Sequence, residues 1–264
     1  MKQPSKILTL ILFSSFFFTL SAQDGGFEND PVANSGNNGK SFRFGLLVKP
    51  AISWFKPNTS GYEKEGSKIG FAYGLSTEFF LGQNYLVSTG FFLTSLGGDF
   101  SYEGIYLDNN SMNVPSEVQQ SMTINYIEIP LTLKLRTNEI GYMTYHGNFG
   151  LRTGFKYKST SDFTYSDITN EPKVEGVNTI GDAFFVNAWL VIGAGVEYNI
   201  SGNTNLSFGI SYNNGFINAL HTKTNLIDAT TGKASVGANG KALYTDKNAS
   251  ANINYFALEV GIYF

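Results

Sequence analysis

Apolar and polar residues alternate strictly along residues 126–136, YIEIPLTLKLR. Every odd position from 127 to 135 is aliphatic, whereas the even positions carry Glu128, Pro130, Thr132, Lys134 and Arg136. A β-strand sends alternate side chains to opposite faces, so the segment predicts a strand with one apolar and one charged face. Seven further segments alternate in the same way: residues 42–48, 71–81, 85–93, 143–157, 186–198, 206–212 and 256–264. The pattern predicts eight strands of about 9–15 residues, which suits tilted strands that cross a bilayer.

The connections between these segments alternate in length. LGQN (81–84), TNEIG (137–141) and SGNT (201–204) have the composition of tight turns. The connections at 56–67, 97–120, 159–182 and 217–250 are long and polar. An up-and-down antiparallel barrel produces this order, because all tight turns then lie at one end and all long loops at the other. We therefore expect an all-β fold, an eight-stranded antiparallel up-and-down transmembrane β-barrel formed by residues 41–264.

The alternation by itself leaves two kinds of barrel open. A water-soluble, lipocalin-like barrel turns its apolar face inward, whereas a membrane barrel turns it toward lipid. Here the charged face is also the glycine face, as at Gly45, Gly74 and Gly150, and a narrow interior needs small residues beside long ones. Tyrosines near the strand ends are typical of interfacial girdles. These features favour a barrel in the bacterial outer membrane, with lipid as the partner of its apolar face.

Ten ionisable side chains then point into the lumen, six of them basic and four acidic. They are Arg43, Lys49, Glu78, Glu128, Lys134, Arg136, Arg152, Lys156, Glu197 and Glu259. We expect them to form a structural network of ion pairs that fills the lumen, because eight strands leave room only for side chains. A selective pore is the alternative. Glu128 is expected to pair with Arg152 or Lys134, and Pro130, which lacks an N–H, to cause a bulge or a local irregularity.

Composition adds the cellular context. Charged residues make up 15% of the 264 residues and the net charge is −3, so no nucleic-acid partner is indicated. The absence of cysteine excludes disulfides and thiolate metal sites. Residues 1–22 combine two early lysines, an apolar run and the ending SA, which predicts a signal peptide that is cleaved near Ala22–Gln23. Residues 23–40 are rich in Gly and Asn and are expected to be a flexible N-terminal segment.

Candidate chemistry is sparse. The chain has two histidines, His146 on the inward face of a strand and His221 in the last long connection. No GxSxG, HExxH or DxDxDG pattern accompanies them, so we expect neither catalysis, nor a metal, nor a cofactor. Asp108, Asp162, Asp167 and Asp228 are expected to be solvated loop carboxylates. An outer-membrane lipid-modifying enzyme remains the alternative from another functional class.

YIEIPLTLK (126–134), the glycine-rich strand GNFGLRTGFK (147–156) and the final segment that ends at Phe264 resemble the PorT-like outer-membrane β-barrel family of Bacteroidota. The resemblance covers residues 40–264 and implies an integral outer-membrane barrel, with a possible tie to a secretion system. The last segment is similar to the signal that the barrel-assembly machinery reads, which makes that machinery an expected partner. We expect a structural or docking component of envelope machinery, with envelope-complex proteins as further partners.

Overall fold

The computed structural model describes residues 41–108, 112–166, 168, 170 and 172–264. Within these ranges the chain forms eleven β-strands and one short 3-10 helix at Ile180–Asp182. The strands are β1 Phe42–Pro57, β2 Tyr62–Phe80, β3 Tyr85–Leu107, β4 Asn113–Arg136, β5 Met143–Tyr165, β6 Lys173–Asn178, β7 Val186–Ser201, β8 Thr204–Gly215, β9 Lys223–Asn225, β10 Tyr244–Asn248 and β11 Ala251–Tyr263. The expected signal peptide, the flexible segment 23–40 and Asp167 lie outside the described residues. No helix in the described ranges is long and apolar enough to cross a membrane.

Eight of the strands form one closed antiparallel ring. Their order is β1–β2–β3–β4–β5–β7–β8–β11, and β11 pairs with β1 to close the barrel. The remaining strands belong to the long connections: β6 pairs with the end of β5, and β9 pairs with β10. The eight-stranded up-and-down barrel that the alternation predicts is confirmed.

The apolar face points outward on every strand of the ring. On β1, Leu46 and Ile52 are 53% and 55% exposed, whereas Arg43 and Lys49 are 5% and 4% exposed. The other strands repeat this division, for example at Leu131 on β4, which is 61% exposed. The lipocalin-like alternative is therefore excluded, because its apolar face would be the buried one.

The two ends of the barrel differ, and only one of them departs from the expected turns and loops. The tight connections are present at 81–84, 137–142 and 202–203, and we call this the turn end. At the opposite end, which we call the hairpin end, the expected loops at 56–67 and 97–120 are wrong: these residues are mostly strand, with β3 and β4 paired as far as Leu107 and Asn113. Parts of 159–182 and 217–250 are likewise strands β5, β6, β9 and β10. In the extensions of β3 and β4 the outward face is polar, and buried apolar residues such as Phe100 and Met122 lie on the inward face. The apolar face is therefore the opposite one from that of the membrane-spanning part of the same strands.

Pro130 causes no bulge. It pairs with Arg152 on β5 in the regular register, and the shift between β4 and β5 lies instead between Asn125 and Tyr126. On the β3 side, the pairs Thr89–Leu131 and Phe92–Glu128 keep one register, and the residues between them form no pair. The irregularity expected at Pro130 is therefore a gap in the ladder without an inserted residue. A proline removes one hydrogen bond, and the remaining pairs on both sides hold the register.

A side chain from β1 replaces part of the β2–β3 ladder. The register of β2 against β3 shifts between Ser67 and Phe71. At this point Ser53 Oγ donates to the carbonyl of Gly97 at 2.8 Å and accepts from the N–H of Gly97 at 2.8 Å. A Cβ atom on the adjacent Gly98 would lie 2.8 Å from the backbone nitrogen of Phe55. Glycine is thus required here by the close approach of the β1 and β3 backbones.

Three connecting segments close the hairpin end of the lumen, and we call them the cap (residues 180–184, 219–221 and 249–251). Ala183 forms a bridge with Leu220, and Phe184 N donates to the carbonyl of Ala219 at 3.0 Å. Ala219 N in turn donates to the carbonyl of Ala251 at 2.8 Å. Ala183, Leu220, Ala219 and Ala251 are at most 4% exposed, so the cap seals the barrel with small apolar side chains.

Candidate functional site

Four charges from four strands meet in the lumen near the turn end, and we call them the lower cluster. Arg43 Nη2 lies 2.6 Å from Glu78 Oε2 and 2.6 Å from Glu197 Oε1. Lys134 Nζ lies 2.9 Å from Glu78 Oε1 and also pairs with Glu197. All four side chains are at most 5% exposed. Two cations thus balance two anions, as burial of charge requires.

A second set of charges lies higher in the lumen, and we call it the central cluster. Arg152 Nη2 is 2.6 Å from Glu259 Oε1, and Lys49 Nζ is 3.4 Å from the same oxygen. Glu128 Oε2 is 4.0 Å from Arg152 Nη1, one of the two partners expected from the sequence. Tyr255 Oη also donates to Glu128 Oε1 at 3.3 Å. This cluster too holds two cations and two anions.

Arg136 and Lys156 stand apart from both clusters. Neither makes an ion pair with a residue in the described part of the chain. The guanidinium of Arg136 lies 6.0 Å from the centre of the Phe80 ring near the turn end. Lys156 Nζ donates to the carbonyls of Ile180 and Ala183 and so holds the cap from below. The structure therefore brings eight of the ten sequence-predicted charges together and leaves these two with other contacts.

Little space is left between the clusters. A cavity of about 30 Å³ separates them and is lined by members of both clusters together with Thr132, His146 and Asn148. One water needs about 10–15 Å³ of such volume, so the cavity holds on the order of two waters. The described side chains of the two clusters thus leave room between them for isolated waters.

Above the central cluster the lumen is filled by an apolar plug, which the sequence reading missed. Its largest members are Trp189, Tyr126, Tyr255, Phe55 and Phe100, each at most 2% exposed. The Tyr126 and Trp189 rings meet edge to face with centroids 5.3 Å apart, and Trp189 Nε1 donates to the carbonyl of Ile253 at 2.8 Å. The sequence did indicate two of these residues as inward-facing. Phe55 lies an even number of positions from the inward Lys49 on β1, and Tyr126 lies two positions from the inward Glu128 on β4, so each shares a face with that charge.

The two histidines lie in different surroundings. His146 lines the small lumen cavity, and its Nδ1 is buried without a hydrogen-bond partner in the described structure. His221 is exposed in the cap, where its ring lies 4.6 Å from the ring of Phe184. Among the described residues, no group of three His, Cys, Asp or Glu side chains is placed to hold a metal.

Carboxylates at the hairpin end stabilise local backbone structure. Asp228 Oδ1 accepts hydrogen bonds from the N–H groups of Thr231 at 2.9 Å and Thr230 at 2.8 Å, which lowers the pKa of Asp228. The loop position expected for Asp162 is wrong: it lies in β5, and its Oδ1 accepts from the N–H of Gly176 on β6 at 2.7 Å. Burial acts in the opposite direction at Asp182 in the cap and raises the pKa of that carboxyl. These contacts assign the acids to local structure.

A closed eight-stranded barrel with an apolar outer wall and a sealed, charged lumen defines the class of transmembrane β-barrels. Residues 22–221 match the family described as outer membrane protein beta-barrel domain, and the chain belongs to that family. The protein is located in the outer membrane. In such barrels the short turns face the periplasm and the long connections face the cell exterior.

Solved structures with this fold are similar to the chain at low identity. Neisserial surface protein A is 12% identical, with a TM-score of 0.39 over 83% of this chain and 95% of that chain. The attachment invasion locus protein Ail of Yersinia pestis is 11% identical, with a TM-score of 0.33 over 85% of this chain and 100% of that chain. OprG from Pseudomonas aeruginosa is 8% identical, with a TM-score of 0.39 over 84% and 96% of the two chains. No curated protein sequence matches the chain.

Proposed function

We propose that the protein is a non-enzymatic outer-membrane scaffold that serves as a docking component of envelope machinery. The observation that carries the proposal is a lumen blocked at every level. The lower cluster, the central cluster, the apolar plug and the cap follow one another from the turn end to the hairpin end. A barrel closed in this way acts through the surfaces that it presents outside the membrane.

The hairpin end offers such a surface. Strands β3 and β4 remain paired up to Leu107 and Asn113, well beyond the outward apolar residues Leu93 and Ile127 on the same strands. β6 lies at the edge of this extended sheet and pairs with β5 on one side. Loops and hairpins on a rigid scaffold are where proteins commonly bind partners, and an edge strand offers free backbone groups.

The finer proposal is a PorT-like protein that is associated with a secretion system. The likeness to the PorT-like family rests on the segment YIEIPLTLK and on the filled barrel. The association with a secretion system is inferred from this likeness in fold. The test is site-specific photo-crosslinking in native outer membranes. A photo-reactive residue at Leu107, at the end of β3, is expected to capture a defined envelope protein, whereas the same residue at the lipid-facing Leu131 captures none. Equal capture at both positions, or none at Leu107, contradicts docking at the hairpin end.

Two further measurements address the other functional classes. A sealed lumen predicts no step conductance in planar bilayers, and discrete conductance steps would instead support a small porin. An unchanged profile of membrane lipids in a deletion strain is expected from a non-enzymatic barrel. A specific change in lipid acylation would support the lipid-modifying alternative.

A further inference from the structure

Two apolar grooves lie on the outer wall of the barrel, and β1 and β11 contribute to both. The first, of about 760 Å³, spreads over β1, β2, β3 and β11 and is lined by Leu46, Tyr73, Phe91 and Val260 among others. The second, of about 400 Å³, lies nearer the hairpin end on β1 and β11 and includes Ile52 and Phe256. Both grooves open onto the outward face of the barrel and therefore onto the hydrocarbon of the membrane.

An aromatic group closes the upper end of the second groove. The ring of Phe256 lies 5.8 Å from that of Trp54 and 4.8 Å from that of Tyr212. Trp54 follows Ile52 on the outward face of β1, so the group stands where the apolar wall gives way to polar residues. Tryptophan and tyrosine at this depth are typical of the boundary between hydrocarbon and headgroups.

Two lysines flank this aromatic group on the headgroup side. Lys56 is exposed and follows Trp54 on the same face of β1, and Lys64 Nζ lies 5.1 Å from the centre of the Trp54 ring. Neither lysine forms an ion pair with a residue that the structure describes. Lys64 has two acidic neighbours along the chain. Glu65 is engaged elsewhere, because its Oε1 accepts a hydrogen bond from Ser101 Oγ on β3 at 2.6 Å, and Glu63 is exposed and forms no ion pair within the described residues. Opposite Lys56, β11 presents the uncharged Asn252.

We propose that this wall binds an anionic, phosphate-bearing lipid of the outer leaflet. Lys56 and Lys64 bind the phosphate, Trp54 packs at the level of the chain attachments, and an acyl chain lies along the grooves. The combination selects this ligand: a free phosphate ion would leave the grooves unused, and a neutral lipid would leave both cations without a counter-charge. The inference rests on the outer-membrane location of the barrel and is independent of its docking role.

The test uses Trp54 as its own reporter. The chain has two tryptophans, so Trp189→Phe leaves Trp54 as the single emitter. In phosphatidylcholine nanodiscs, brominated phosphatidic acid is expected to quench Trp54 at a several-fold lower mole fraction than brominated phosphatidylcholine. The double variant Lys56→Gln/Lys64→Gln should lose this preference, whereas the matched control Lys223→Gln/Lys241→Gln, in the β9–β10 region of the hairpin end, should keep it.

Native mass spectrometry of the chain with both tryptophans gives a second reading that does not depend on the Trp189 substitution. We expect bound phosphatidic acid on the unsubstituted protein and on the control pair, and its loss from the Lys56/Lys64 pair. Equal quenching by both lipids, or preference retained in Lys56→Gln/Lys64→Gln, would overturn the proposal. A lipid-free dimer would also overturn it, because the grooves would then belong to a contact between two copies of the chain.

Discussion

At the scale of single residues, the lumen depends on charge balance and on close backbone approach. Arg43 contacts two acids, Glu78 and Glu197, each at 2.6 Å. Removal of one partner from a buried pair leaves the other charge desolvated, and this costs far more than the pair contributes when it is intact. Individual charges of the lower cluster should therefore be much less replaceable than charges at the surface.

Glu78→Gln tests this balance. The change keeps the shape of the side chain but leaves Arg43 and Lys134 with one shared anion, so we expect a loss of about 3–5 kcal/mol in the free energy of unfolding. Urea-induced unfolding followed by heat-modifiable gel mobility measures the change. The matched control Glu139→Gln, at an exposed position in a turn, should alter stability by no more than about 0.5 kcal/mol. Equal midpoints for the two variants would show that the lower cluster is not a critical ion-pair site.

Gly98→Ala tests the close approach between β1 and β3. The added Cβ would lie 2.8 Å from Phe55 N and 3.0 Å from the Cα of Trp54, and backbone atoms cannot turn aside as a flexible side chain does. We expect a destabilisation of about 1–3 kcal/mol in the same unfolding assay. Gly181→Ala is the control, because nothing lies within 4 Å of a Cβ at that position. A Gly98 variant as stable as the control would contradict the geometry at Ser53 and Gly97.

At the scale of elements, each strand changes character along its length. β3 has lipid-facing Leu93, 39% exposed, and three residues further on the plug residue Leu96, 1% exposed. The alternation that identifies the strand is clear where one face meets lipid and the other meets the charged lumen. Above the membrane the outer face becomes polar and the inner face apolar, so the alternation no longer identifies the inward residues, and the plug is absent from the sequence analysis for this reason.

The two leucines of β3 make a matched prediction. Leu96→Ala leaves a void in the apolar plug and is expected to cost about 2–5 kcal/mol. Leu93→Ala should cost clearly less, because acyl chains move in to cover the site whereas the closed lumen cannot refill. Unfolding midpoints of both variants, folded in the same lipid, measure the difference. A larger effect at Leu93 than at Leu96 would contradict the assignment of the two faces.

At the scale of the whole molecule, the ring divides the chain into a lipid-facing wall, a filled lumen and two unlike ends. The turn end has connections of two to six residues, whereas the hairpin end carries the cap, β6 and the β9–β10 pair. This asymmetry orients the protein in the outer membrane, with the turn end toward the periplasm.

Single-cysteine labelling tests the orientation, and the absence of native cysteine makes it direct. Thr230→Cys, in the connection between β9 and β10, should react with an impermeant maleimide on intact cells. Asn138→Cys, in the turn between β4 and β5, should react only after the outer membrane is permeabilised. The reverse pattern would place the hairpin end in the periplasm.

The amino-acid sequence by itself determined the eight strands and their up-and-down order, because period-two alternation and the lengths of the connections are local properties of the chain. Alternation alone left the direction of the apolar face open, and the glycines of the charged face and the tyrosines near the strand ends favoured the outward direction. Tertiary structure decided which charges meet. Arg43 and Glu197 are 154 residues apart along the chain, and the closure of the ring brings them into contact. Closure likewise decided that Phe55, Trp189 and Tyr255 fill one plug, and that Lys156 holds the cap. These contacts depend on strand register across the barrel, which no single segment encodes.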